Sequence, residues 1–354
     1  MPTLAVAEAT NLAFAPSYIP VAIFAGGTSG VGQAMVEAFA RQTNGHAHII
    51  LIGRNLTTAA KILARFPKPA EADGWAHEFV ACDAMSIASV RAVCAGLRAR
   101  LIRVNFLVMS AAGQKGNSLV ECGETHEGLD NHLVMRYFSR YVYTKELLPL
   151  LLQAREMGQQ AHLMTILGAG MGIPIASDDL GLAEARRRSI KFLQGNMISV
   201  AAIKGGIRSA GYNDGLVAWF AAQHPNIAFT HISPGQVQTL GSKLYLGWLL
   251  APLGWLLTAL RSFIAIPQEE CAQYMLYALL HVEQGGLFFR NSRGDVVSEH
   301  VFSPSHARSF VDDGSPTARK KGVLNGIPMK GYGGSDVTVA GLIAYTERVL
   351  ADIA

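Results

Sequence analysis

The stretch "FAGGTSGVGQA", Phe24 to Ala34, joins the end of an apolar run to the start of a helical pattern. Gly26, Gly30 and Gly32 stand in the order G-x-x-x-G-x-G. Glycines suit such a junction because the chain turns tightly and its backbone must come close to a diphosphate at a helix N-terminus. There the free N–H groups and the helix dipole favour negative charge. Thr28, Ser29 and Val31 belong to the same loop and to the same expected cofactor contact. A glycine motif alone is weak, so its surroundings decide.

Those surroundings form a series. "VAIFA" (Val21–Ala25), "HIILI" (His48–Ile52), "HEFVA" (His77–Ala81), "NFLVM" (Asn105–Met109), "HLMTIL" (His162–Leu167), "IAFTHI" (Ile227–Ile232) and "GLFFR" (Gly286–Arg290) read as strands. Longer helical patterns separate them, the mark of βαβ units and a parallel sheet. Near-continuous hydrophobicity is what strands covered on both faces require. The fold expected is α/β, a Rossmann-type doubly wound parallel sheet with a helical lid and a C-terminal extension. The organisation expected is an N-terminal extension at 1–20, one dinucleotide-binding catalytic domain at 21–300 with an apolar lid at 240–266, and a tail at 301–354 packed on it.

Composition agrees with that picture. Of 354 residues 50% are hydrophobic, 16% are charged and 36 are glycine, which excludes a disordered or fibrous chain. The net charge of +4 is small and no basic stripe interleaves with aromatics, so nucleic acid is not an expected partner. Cys82, Cys94, Cys122 and Cys271 show neither pairing nor metal-ligand spacing, so no metal is expected and the thiols suit a reducing, cytoplasmic setting.

The second strand ends "LIGRN". A free ribose hydroxyl usually meets a carboxylate at this point, but here Arg54 and Asn55 follow Gly53. A guanidinium suits a 2′-phosphate, so NADP(H) is expected over NAD(H). The third strand ends at Asp83, placed to accept from an adenine amino group. The fourth ends "VMSAAG", whose small residues Ala111, Ala112 and Gly113 let backbone lie against the cofactor.

With Gly26 to Gly32, Asp83, Ser110-Ala111-Ala112-Gly113 and "SPGQVQT" (Ser233–Thr239), the chain resembles the short-chain dehydrogenases/reductases, of the fungal secondary-metabolism and retinol-dehydrogenase-like type. The resemblance runs from about Tyr18 to about Arg290. It implies that Pro234, Gly235 and Val237 pack against a nicotinamide and that Thr239 touches phosphate.

The resemblance also implies a serine after the fifth strand, a Tyr-x-x-x-Lys on the next helix and an asparagine on the helix before. None carries over. The only literal Tyr-x-x-x-Lys, Tyr141 to Lys145, lies between the fourth and fifth strands and is a decoy. Thirty residues before Pro234 stands Lys204, with Arg208 four further on. Arg136 takes the asparagine position, and "TILGAGMG" puts Leu167 and Gly168 where a serine would stand. Three readings stay open. In one, Tyr212 is a shifted proton donor, sharing a helix face with Lys204, supported by the charge of Arg208 and relayed by Asp214 or Asp178; Gly205, Gly206 and Gly211 put that helix's continuity in question. In another the chemistry is non-redox, an isomerisation, dehydration or cyclisation with Lys204, Arg136 or Tyr212 polarising a carbonyl. In the third the nucleotide is bound without catalysis. His231 reads as a structural strand residue.

The lid segment "LYLGWLLAPLGWLLTAL", Leu244–Leu260, carries no charge and is interrupted by Pro252. With Trp248 and Trp255 seven apart, it is expected to cover a lipophilic small molecule. Core packing, a homodimer contact and a peripheral membrane contact are its alternatives.

Overall fold

The computed structural model describes residues 2–68, 76–112, 123–184, 200–238, 265–282, 285–300, 323–324, 327–328 and 335–353. The apolar lid segment, Cys122, Gly113 and Thr239 lie outside them.

Seven runs become parallel strands: β1 Val21–Ala25, β2 His48–Gly53, β3 Glu78–Ala81, β4 Phe106–Met109, β5 His162–Ile166, β6 Ala228–Ile232 and β7 Gly286–Arg290. They lie in the order β3-β2-β1-β4-β5-β6-β7, and β8, Val296–His300, closes the edge antiparallel to β7. The order reverses between β1 and β4. In an open parallel sheet that reversal leaves a crevice beyond the strands' C-terminal ends, where ligands bind. A separate two-stranded ribbon pairs β9 Val323–Leu324 with β10 Ile327–Pro328.

Alternate strand residues point to opposite faces, so the sheet supports two cores. On one face Phe24, Leu51, Phe106 and Met164 pack beneath α1 Leu4–Leu12, α2 Gly30–Gln42 and α3 Leu56–Leu63, with the later helix Gln268–Leu280. On the other, Ile23, Ile50, Leu107 and Leu163 meet α4 Ile87–Arg100, α5 Ser139–Glu156, α6 Val200–Gln223 and the last helix. We number the remaining helices α7, Gln268–Leu280, and α8, Val339–Ala351. Asn11 ties α1 to α7 by donating to the Gln273 carbonyl at 2.9 Å.

α6 is one uninterrupted helix despite its glycines. They serve close approach: a Cβ on Gly205 would sit 3.0 Å from Leu182 and 3.1 Å from His132, and one on Gly206 would lie 2.9 Å from Arg136 Nη1. Packing here outweighs the intrinsic cost of glycine in a helix. α8 lies against α6 and α5 with Leu342, Ile343 and Leu350 buried. Thr338 caps it, and Thr346 meets the Tyr137 hydroxyl at 2.7 Å. Among the described residues no helix is long and apolar enough to cross a membrane.

Candidate active site

β1 runs out at Ala25, and Gly26 follows with φ +93°, a left-handed value that favours glycine. A Cβ there would lie 2.5 Å from the Ala111 nitrogen. One on Gly32 would overlap Ser110 Oγ and stand 2.6 Å from the Gly26 carbonyl oxygen. The first turn of α2 therefore presses on the loop after β4 only because both positions are bare. Ser29, at the N-cap, makes no side-chain hydrogen bond to the helix. Gln33 is the first residue of the turn whose N–H finds a backbone acceptor, Ser29 O at 3.2 Å. The N–H groups ahead of it are left to an outside acceptor. This uncapped cradle, bare at Gly26 and Gly32, fits the diphosphate of a dinucleotide.

At the tips of β2 and β3, Arg54 Nη1 stands 4.0 Å from Asp83 Oδ1, both side chains about half exposed. Asn55 is committed locally: its Oδ1 accepts from Thr58 N at 2.9 Å and caps α3. Asp83 Oδ1 likewise accepts from Met85 N at 3.0 Å, turning the chain into α4.

The loop after β4 is gripped from two sides. Ser110 Oγ donates to the Gly26 carbonyl at 3.2 Å. From the other side come two arginines one helical turn apart. Arg136 lies in a π-helical turn, Val134–Phe138, that leads into α5; such turns often accompany functional sites. Its Nε donates to the Ala112 carbonyl at 2.6 Å. Arg140 is fully buried. Its Nη2 donates to the carbonyls of Ala111 at 2.9 Å and Ile166 at 3.0 Å, and its Nη1 to Thr165 Oγ1. Burial, with the neighbouring Arg136 charge, pushes the Arg140 guanidinium down to about 9. Burial lowers Arg136 too, against the opposing pull of Asp130. Thr165 Oγ1 donates to Asn213 Oδ1 at 2.8 Å, and Asn213 Nδ2 donates to Arg136 O at 2.8 Å. The β4 loop, β5 and α6 are thereby joined by one polar network.

α6 divides its candidates between faces. Gly206, Ala210 and Asn213 turn toward the end of β5, where a Cβ on Gly168 would lie 3.6 Å from Ala210 Cβ. Lys204, Arg208 and Tyr212, spaced four apart, form a different row. Arg208 Nη1 donates to Asp179 O at 3.3 Å and stands 3.8 Å from Asp179 Oδ2. The Tyr212 hydroxyl donates to Leu180 O at 2.9 Å, and its ring meets Tyr137 edge-on at 5.0 Å. Tyr212 is wholly buried, and burial raises its pKa. The expectation that Tyr212 and Arg208 share the catalytic cleft with Arg136 is therefore corrected. Their spacing put them on one face, but that face packs on the 179–182 segment. Asp178 is exposed on a 3-10 turn, and Asp214 is buried. Asp214 Oδ1 accepts from His231 Nδ1 at 2.6 Å and from Gly170 N at 3.3 Å, which ties β6, α6 and the loop after β5 together.

Gly235 follows Pro234 with φ +70°, and a Cβ there would lie 2.8 Å from Ser292 Cβ. Val237 is buried and bridges Ile266. A family model described as short chain dehydrogenase matches residues 20–166. The protein named "Oxidoreductase andH", of Emericella variicolor, is 30% identical over 77% of this chain and 73% of its own length. The chain belongs to the short-chain dehydrogenase family. A second relative, "Polyprenol dehydrogenase" of Homo sapiens, is 25% identical over 67% of this chain and 69% of its own. The solved "Pseudomonas aeruginosa RhlG/NADP active-site complex" shares the fold with TM-score 0.52 at 16% identity, over 78% of this chain and 96% of that one. Like those relatives, this short-chain dehydrogenase is an oxidoreductase-class enzyme with a nicotinamide-dinucleotide fold.

Two positions that the resemblance suggested for proton handling can be located in the structure. Arg136 meets the backbone of the β4 loop, and glycine stands at 168. The literal Tyr141–Lys145 pair points elsewhere: the Tyr141 hydroxyl donates to Glu347 Oε1, and Lys145 Nζ donates to both Glu347 oxygens at 2.8 and 2.7 Å. An open pocket of about 710 Å³, lined by Phe14, Tyr18, Gln160, His281 and Phe288, includes none of the site residues. Sequence reasoning missed Arg140, although two arginines four apart in the apolar "HLVMRYFSRYVY" were a usable signal.

Proposed function

We propose that this enzyme is an NADP(H)-dependent reductase or dehydrogenase of a lipophilic carbonyl or alcohol. The observation that carries the reading is the bare cradle at Gly26–Gly32 with its uncapped helix start. A nicotinamide bound from that anchor supplies or accepts hydride at carbon. The protein's own work is positional. The N–H groups opening α2 hold the diphosphate, and Ala111 and Ala112, fixed by Arg140 and Arg136, present backbone to the nicotinamide end. Arg136 offers guanidinium N–H groups to the substrate oxygen, stabilising charge as it develops there. With Tyr212 spent on Leu180, the proton for that oxygen comes from water.

Arg54 supports NADP(H) over NAD(H): it is exposed at the ribose end and held only at 4.0 Å by Asp83, so a 2′-phosphate can take it over. Arg54→Ala is expected to raise KM for NADPH about tenfold or more and leave that for NADH nearly unchanged, as one charge-assisted contact implies. The apolar character of the substrate is supported by the sequence of Leu244–Leu260.

A second, non-redox reading is favoured by one observation, the withdrawal of Tyr212 into the core. Following the absorbance of reduced nicotinamide with purified protein and long-chain ketones separates the two. Consumption of NADPH with alcohol formed supports the redox reading; product without nicotinamide change sinks it.

A further inference from the structure

We infer that Arg136 is a recognition point for an acidic oxygen pair on the substrate, a carboxylate or the enolate of a 1,3-dicarbonyl, so that the molecule handled is an apolar organic acid. This rests on the proposed site for its location, and extends it by naming the substrate class.

The argument begins with charge. Arg136 and Arg140 stand one turn apart, and neither has a carboxylate within ion-pair distance among the described residues. Burying like charges side by side is costly unless their donors are used. For Arg140 they are used, on Ala111 O, Ile166 O and Thr165 Oγ1. Arg136 is different. Only its Nε is engaged, on Ala112 O at 2.6 Å. Its two terminal nitrogens have no acceptor among the described residues, and Nη1 sits over Gly206, where a Cβ would approach to 2.9 Å. Asp130, the carboxylate whose field reaches Arg136, is occupied in accepting from the amides of His132 and Leu133 at 3.0 Å. Among the described residues, neither of these two cations is paired with a carboxylate.

A planar guanidinium fixed through Nε leaves a fork of parallel N–H donors. Two oxygens sharing one negative charge match that fork, whereas a neutral carbonyl satisfies one donor and no charge. Gly206 lets α6 lie close beside the guanidinium, since a Cβ there would stand 2.9 Å from Nη1.

A phosphate of the coenzyme shares this chemistry, so the test separates the two sources. Hexanoate and hexanamide, alike in size and different in charge, are titrated calorimetrically into chain saturated with NADP+. Hexanoate is expected to bind at least tenfold more tightly, with the preference shrinking as salt rises. Arg136→Gln should abolish the preference and Arg136→Lys retain part of it. Equal binding of the two probes to the unaltered chain overturns the inference, even if neither variant folds. So does a preference that survives Arg136→Gln, or hexanoate competing with NADP+, which would give the charge to phosphate. Failure of NADP+ to bind would overturn the coenzyme reading instead, and the probe pair is then compared on the free chain.

Discussion

Gly32 is the residue on which coenzyme binding turns. A methyl group there would run into Ser110 Oγ and the Gly26 carbonyl, so the first turn of α2 would have to lift from the loop after β4. Gly32→Ala is expected to weaken NADPH binding at least tenfold in a fluorescence titration and to cost about 1–3 kcal/mol of stability through overpacking. Tyr212 makes the opposite case. Tyr212→Phe keeps the ring but leaves the buried Leu180 carbonyl without its donor. Turnover should persist while stability to urea falls by about 1–3 kcal/mol, and loss of turnover with stability intact would return Tyr212 to the chemistry. Arginines show what a sequence can and cannot disclose. Arg136, a cation inside an apolar run, was legible as a residue needing a purpose. That it reaches Ala112 while Arg208, equally charged, reaches Asp179 depends on which face each helix buries, and spacing alone does not say.

At the scale of elements, α5 and α8 are pinned by a pair that imitates a catalytic motif. Tyr141 and Lys145 both engage Glu347. Because the Lys145–Glu347 pair is about half exposed, Lys145→Met should cost less than about 1 kcal/mol. Steady-state rates of Lys145→Met and Tyr141→Phe should stay within about twofold of the parent, the outcome for side chains that polarise no substrate. The inner strands were readable because both faces of each are covered, which forces unbroken apolar runs such as "VAIFA"; β3, at the sheet's other edge, was read from a shorter, half-buried run. β8 was not, since "VVSEH" lies at the sheet's edge and escapes that constraint. Nor was the continuity of α6, whose glycines weaken a lone helix but here admit Leu182, His132 and Arg136.

Across the whole molecule, His162 joins sheet to helix. On β5 its Nδ1 donates to Leu279 O of α7 at 2.8 Å, and its Nε2 meets Thr230 Oγ1 of β6 at 2.7 Å. Burial pushes its pKa down to about 3, and the Arg290 charge adds to the effect. The unfolded chain binds a proton at this ring below about pH 6.5, and the folded chain does not until about 3. Stability from this group is thus complete above about pH 6.5 and drains away as pH falls toward 3, by up to about 1.4 kcal/mol per unit. Urea midpoints measured between pH 7.5 and 4.5 should fall, and less steeply in His162→Gln; parallel curves would count against His162 as the source.

α8 has one more consequence, and it concerns the order of synthesis. It follows in the chain every element it covers, yet it supplies the side chains against which Tyr137 and Tyr141 rest. Just upstream of it, Ser335 Oγ and Asp336 Oδ1 accept from the amides of Ile175 and Ser177 at 2.8 and 2.6 Å. A nascent polypeptide can close its sheet on the ribosome, but this flank stays greasy and open until Ala351 has emerged. Chaperone engagement should therefore concentrate there, and a stop codon placed before Ser335 should yield a product that lacks this cover and is cleared.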